Sequence, residues 1–423
     1  MHESERRAGS CAPAAEYKER PWLFALLIAP MAVLSNGIVG GALSYIFRVH
    51  GIGPSRSASI LALLTLPSSI YFLWSPVTDF WMRRRTWLMV AAVSSAAAMF
   101  AAFRIPDLAS HFAVGLMFLS ACLGQLIVAA CGGMMGTLHS EVNRRRASSF
   151  YQGASLGFGA LAVLVMVSLS DRVRPATLSW IAAAMIALPA FAALAAPTQR
   201  TVSGSDVRST FARIWREFKA TFIRWEAIPY TLVMLFPMGS GAMTQLLPGL
   251  AADYHVTGNQ VAWINGVGGA LLMAAGALAA SLISTRVRAA VAYLSAGLIN
   301  AGALAVLWLG PLRPVVYMLG AVAYLFTVGA CYAFFTVVVL AYLGGSGKSG
   351  SARYAIINSM GNVPVLYMTM LDGVGYAHWG PRGMPGIDVV VGAAGGAILL
   401  SYFLTHPSPD RSPQEPTPAV SDP

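Results

Sequence analysis

Seven uncharged polar side chains stand inside long apolar stretches of the sequence: Asn36, Gln125, Gln245, Asn265, Tyr332, Asn358 and Asn362. Amides and a phenol offer hydrogen-bond donors and acceptors without net charge. Asn358 and Asn362 are four apart and so share one face of a helix. Gathered round a cavity, the set would hold a neutral or amphiphilic solute. Taken singly, each could equally be an interhelical bond worth about 0.6–2 kcal/mol. A second cluster is Trp74-Ser-Pro-Val-Thr-Asp79-Phe-Trp-Met-Arg83-Arg84-Arg85-Thr-Trp87, an acid followed four residues later by arginines. Asp79 can accept hydrogen bonds from a helix N-terminus, where the dipole is positive. Arg353 lies where such a helix would begin. Asp79, Arg83, Arg84 and Arg353 are therefore candidates for a conformational latch, made in one state and broken in another. The blander reading of these residues is ordinary loop charge.

Other chemistry is not expected. The cysteines, Cys11, Cys122, Cys131 and Cys331, show neither disulfide nor metal-ligand spacing. No metal site and no cofactor are indicated. There is no Walker sequence, which argues against direct use of ATP. No cluster of His, Asp, Glu or Cys falls at one depth, so the chain does not read as an enzyme. The 17 acids lie mostly in loops and tails. Asp79 and Glu226 stand at helix ends. Asp372 and Asp388 flank the turn before the last apolar run, from which Asp372 could reach a cavity. No carboxylate is expected near a midplane. His139 reads as an interfacial residue.

The elements that must position these groups follow from bulk composition. Of 423 residues, 57% are apolar and only 11% are charged. Soluble domains carry about 25% charged residues. Twelve apolar runs of spanning length lie between residues 22 and 405. They are too long and too uniformly apolar for barrel strands. The expected fold is an all-α membrane protein with twelve transmembrane helices in two six-helix halves. The divisions are a cytoplasmic N-terminal segment (1–21), an N-terminal half (22–197), a cytoplasmic linker (198–226), a C-terminal half (227–405) and a disordered tail (406–423).

With the N-terminus inside, three quarters of the 28 Lys and Arg fall on the cytoplasmic side. This places both termini in the cytoplasm and the protein in the cell's inner membrane. The net charge of +11 then reflects loops rather than nucleic-acid binding. The first apolar run is too long for a signal peptide and reads as a retained helix. In the linker, Phe211, Ile214, Trp215, Phe218 and Phe222 recur at helical spacing, predicting an amphipathic helix on the membrane surface.

The halves echo each other. Pro30-Met31 matches Pro237-Met238, His50 matches His255, and Phe150–Gly157 matches Tyr354–Gly361. These pairs share an offset of about 204–207 residues. Such a duplication, with the acid–arginine loop after the second run, resembles the major facilitator superfamily. Within it, the stretch Leu64-Thr-Leu-Pro67, Tyr71-Phe-Leu-Trp74-Ser-Pro76, Asp79 and Arg84-Arg85-Thr-Trp87 resembles the peptide–acetyl-coenzyme A–drug transporter family, which includes muropeptide permeases. Weaker likeness continues at Gln125 and from Ser351-Ala-Arg-Tyr354 through Asn362. Those permeases carry acids shortly after the glutamine of the fourth helix. Here Gln125-Leu-Ile-Val-Ala-Ala-Cys131-Gly-Gly133 has none, which counts against a muropeptide substrate and that family's proton site.

The resemblance implies a secondary active transporter of a small organic solute, working as a monomer by alternating access. The partners it implies are the solute, the lipid bilayer and a candidate coupling proton. The alternative is a non-transporting ligand-binding or sensor protein of the same fold. Arg48, Arg56 and Arg104 could draw anions from outside. Pro364 is expected to weaken the eleventh helix, and Gly40-Gly41 and Gly132-Gly133 to allow close helix contacts.

Overall fold

The computed structural model describes residues 19–138, 140–196, 207–223, 228–283, 288–343 and 350–406, and contains no strand among them. The N-terminal half comprises α1 (Leu23–Val49), α2 (Pro54–Ser69, bent by 49° into Tyr71–Thr78), α3 (Arg84–Phe103), α4 (His111–Met135), α5 (Glu141–Ser170) and α6 (Pro175–Ala195). A linker helix covers Val207–Phe222. In the C-terminal half, α7 comes in two pieces, Ile228–Leu235 and Ala242–Leu250. Then follow α8 (Gly258–Ile283), α9 (Ala289–Leu309), α10 (Pro314–Leu343), α11 (Gly350–Trp379) and α12 (Gly383–Thr405).

Helical segments thus occupy all twelve apolar runs. Nine stretches among the described residues are long and apolar enough to cross a membrane, or ten with the bent α2. The longest, Ser359–Thr405, contains parts of both α11 and α12, divided by a turn at Gly380 with φ +66°. Local chemistry sets several starts. Ser110 and Ser140 cap α4 and α5, and Thr257 with Gln260 forms a capping box on α8. Pro54 and Pro175 open α2 and α6, where a missing N–H costs nothing.

The chain alternates between two ends of the bundle. One, the linker side, carries the start of α1 and the linker helix; the other is the far side. The apolar core differs between them. On the far side a single cluster joins both halves, with Leu43, Ile46 and Leu61 packed together with Leu247, Tyr254 and Tyr317. On the linker side the core splits. Leu27, Leu88 and Ile127 belong to an N-terminal cluster, and Val233, Leu294 and Val338 to a separate C-terminal one. The halves therefore meet on the far side and part towards the linker.

Two prolines inside helices have different local consequences. α11 runs through Pro364 without a break. In α1, Pro30 is followed by π-helical turns over Ala32–Ala42, a widening found frequently at functional sites. Here α1 presses on α5: a Cβ on Gly37 would lie 2.4 Å from that of Ala162, and one on Gly41 2.4 Å from Val163 Cγ2. Of the glycine pairs expected to allow close contact, Gly41 and Gly133 do so. Gly40 faces only Ser35 of its own helix, and Gly132 faces open space.

The linker helix does more than lie on a surface. Phe218 stacks on Phe72 of α2 with ring centroids 6.0 Å apart, and Phe222 packs on the C-terminal cluster. Phe211, Trp215 and Ile223 remain exposed. The apolar face is broad enough to bridge the two halves and still leave apolar surface outside.

Candidate functional site

Where the halves part, they enclose a cavity of about 1420 Å³. Its wall is drawn from α1, α2, α4 and α5 of one half and α7, α8, α10 and α11 of the other, with Arg84 of α3 and Ile214 of the linker helix at the mouth. α6, α9 and α12 contribute nothing to the lining.

Asn36, Gln125, Gln245, Asn265, Tyr332 and Asn362 all line this one cavity. The side chain of Asn358 lies outside the described residues. Asn36 Nδ2 donates to Ser155 Oγ at 2.9 Å, tying α1 to α5 across the π-helical stretch. Gln245 Nε2 donates to Thr369 Oγ1 of α11 at 2.6 Å. Asn265 Nδ2 donates to Tyr317 Oη at 3.0 Å, while its Oδ1 is buried with no partner. Such a carbonyl in a cavity wall awaits a donor. Asn300 lies off the cavity, buried between α9 and α10, with Nδ2 donating to Thr327 Oγ1 at 2.8 Å. Among the described residues the lining carries no Asp, Glu, His or Lys, and Arg84 is its one cation. The surface offered to a solute is thus neutral and polar over its depth, and cationic at the mouth.

The candidate latch residues are more dispersed. Arg84 Nη1 donates to the Gly133 carbonyl of α4 at 2.6 Å, a bond within the N-terminal half. Arg83 is exposed. The side chains of Asp79 and Arg353 lie outside the described residues, as does His139.

Sequence reasoning missed the break in α7. Residues 236–241 leave the helix, with Gly239 at φ +62° and Gly241 at φ +78°. In hydrocarbon, carbonyls freed by a break must find new donors. Three tyrosines supply them: Tyr367 Oη to the Leu235 carbonyl at 2.7 Å, Tyr293 Oη to Met238 at 2.7 Å, and Tyr332 Oη to Ser240 at 3.3 Å. They come from α11, α9 and α10. The close run of Pro237, Gly239, Ser240 and Gly241 was the available signal.

The far side is sealed. Arg48 Nη2 of α1 pairs with Asp253 Oδ1 beyond α7 at 2.5 Å, the only ion pair among the described residues. Tyr376 Oη of α11 donates to Asp253 Oδ2 at 3.1 Å, and the Gly249 N–H of α7 donates to Ser44 Oγ at 3.2 Å. Arg48, expected to attract anions, is thus engaged across the halves, and Arg56 donates to the Ala109 carbonyl at 2.9 Å. Both Arg48–Asp253 and Ser44–Gly249 are separated by 205 residues, within the repeat offset read from the sequence.

The family model of the Major Facilitator Superfamily matches residues 25–364, and the chain belongs to that superfamily. Its fold is similar to several solved structures. The nucleoside transporter NupG aligns with a TM-score of 0.65 at 12% identity, covering 91% of this chain and 98% of that one. The D-xylose-proton symporter gives 0.68 at 14%, covering 90% and 95%. A POT family transporter in complex with 5-aminolevulinic acid gives 0.69 at 11%, covering 91% and 96%. No curated protein matches the chain in sequence.

Proposed function

We propose that the chain is a secondary active transporter of a small, neutral or amphiphilic organic solute, working by alternating access. The observation that carries this reading is the cavity of about 1420 Å³ between the halves, continuous to the linker side and closed on the far side by Arg48–Asp253 and Ser44–Gly249. Six predicted polar residues in one wall supply hydrogen bonds of the kind that orient a ligand in a mostly apolar site. In this reading the linker side is cytoplasmic, as the Lys and Arg distribution indicates, and the structure is the inward-facing state. Asp79, Arg83, Arg84 and Arg353 then form the latch that closes the cytoplasmic mouth in the opposite state. The 64–87 stretch supports a place near the peptide–acetyl-coenzyme A–drug transporters, with a cargo other than muropeptides.

Uptake into proteoliposomes tests the proposal. The first panel is nucleosides, pentoses, short peptides and amino-acid-like solutes, the classes named among the structural neighbours, offered with and without a pH gradient. Concentrative uptake of one class, reduced when Gln125 or Gln245 becomes Ala, is the expected result. A solute that binds with saturation but never crosses would leave the non-transporting alternative.

A further inference from the structure

Two carboxyls lie off the cavity and outside any ion pair. Asp372 of α11 is fully buried, and neither of its oxygens has a hydrogen-bond partner. Asp388 of α12 is buried too, with Oδ2 unpartnered. The two are near enough to act on each other electrostatically. They flank the turn between α11 and α12, as the sequence reading had them, but well inside their helices. At 1.5 Å per residue, Asp372 sits about 10 Å inside the far end of α11 and Asp388 about 8 Å inside that of α12.

Among the described residues the surroundings supply no free countercharge: Arg48 lines the recess next to them but is paired with Asp253. Tyr324 of α10, beside Thr244 of α7, faces both acids, and Tyr367 of α11 faces Asp388. α9 brings Trp308, which abuts Gly386 of α12. α2 brings Ala58, against Gly373, and Ser57, whose buried hydroxyl has no partner. Ser57 shares a small recess with Met384, one turn before Asp388. Among the described residues no Lys, Arg or His acts on either acid.

An ionised carboxylate left alone in hydrocarbon is untenable, and two neighbouring ones more so. The pair must therefore be neutralised. No group of three or more potential metal ligands exists among the described residues, and the adjoining recess has no room for even a water. A proton needs neither.

We propose that Asp372 and Asp388 form a proton site, loaded from the far side and buried only when protonated. The geometry gives it both a route and a coupling. Gly373, next to Asp372, packs against Ala58 of the opposite half, where an added Cβ would lie 2.6 Å from Ala58 Cβ. Opening the far side separates these helices and uncovers the acid. Closure then requires that both carboxyls have taken protons from far-side water. On the other side, Thr369, one turn from Asp372, accepts from Gln245 and separates the pair from the cavity. A solute that takes the Gln245 amide would open the path for the same protons to leave towards the linker side. The coupling rests on the alternating-access reading; the proton site does not.

Infrared spectroscopy of the reconstituted full chain tests the site without any solute. Wild type should show a protonated-carboxyl stretch at pH 7 that weakens in both Asp372→Asn and Asp388→Asn, with thermal melts confirming that the variants fold. The coupling is read from Ser44→Cys in a background free of other cysteines, labelled by an impermeant maleimide from the far side. Labelling, normalised at each pH to that of the same cysteine in the detergent-unfolded chain because the thiolate is the reacting form, should rise several-fold from pH 6 to pH 9, and the normalised value should become independent of pH once either Asp is Asn. No carboxyl band in wild type, an unchanged pH response in the variants, or a response to Na⁺ in place of pH would overturn the proposal. A band lost in the variants, with no labelling at any pH, would keep the proton site and sink alternating access.

Discussion

α1 and α7 hold corresponding places in the two halves and start from the same local sequence, Pro30-Met31 and Pro237-Met238. They solve the proline differently. α1 stays continuous through its proline, widens into π-helical turns just after it, and is pinned to α5 by Asn36–Ser155. α7 parts altogether at 236–241, and three tyrosines from other helices hold its freed carbonyls. The decisive difference lies just after the proline. Two glycines at positive φ give α7 a conformation that side-chain-bearing residues avoid, whereas α1 has Ala32–Asn36 there. The N-terminal helix is thus a wall held along its length. Its counterpart is a joint whose stiffness resides in three hydroxyl groups.

That contrast is open to attack at several points. Gly241→Ala should have the largest effect, because φ +78° disfavours a Cβ and the new atom would lie 2.1 Å from Tyr332 Oη. Left-handed strain and overpacking together predict a loss of about 3 kcal/mol, visible as a lower melting temperature in detergent. A wild-type melt would mean that the break is not fixed. Tyr367→Phe strands the Leu235 carbonyl and should cost about 1–3 kcal/mol. Asn36→Ala, which removes an interhelical bond from the continuous helix, should cost about 0.6–2 kcal/mol. If Asn36→Ala proves the more damaging of the two, wall and joint have been assigned the wrong way round.

Smaller effects belong to the ends of the two helices. Arg48→Gln should favour opening of the far side by about 1 kcal/mol, raising maleimide labelling of Ser44→Cys roughly fivefold. Exchanging the pair, Arg48→Asp with Asp253→Arg, should restore closure. Asp79→Asn should give the smallest change, a shift in the balance of cysteine accessibility between the two faces. Unchanged accessibility in a folded Asp79→Asn protein would remove the latch.

The helices and the polar lining were legible because apolar run length and isolated amides are local signals. Asn36 and Gln125 were readable as wall residues without knowledge of their partners. The break in α7 was not, because hydropathy is indifferent to backbone bonding: 227–250 remains apolar whether or not the helix is continuous. Its stabilising tyrosines lie 55 to 132 residues away. Asp372 was read as bordering a turn because the apolar run ends near residue 374, where Gly373 and Gly375 stand, yet α11 continues to Trp379. Those glycines serve packing instead, Gly373 against Ala58 and Gly375 against Gly383. Arg48 looked available to anions because nothing local reveals Asp253. The linker helix was recognisable from its aromatic period, but Phe72, its stacking partner, is distant in sequence.

The far-side seal has one more consequence. Ser44 meets Gly249 and Arg48 meets Asp253, each pair one repeat length apart. In a perfect tandem copy, every such meeting would bring a residue face to face with its own twin. Two arginines, or two aspartates, at the second contact would push the copies apart. The seal therefore depends on the halves being unlike at this point, and a protein of identical halves would lack the ion pair that now holds its far side shut.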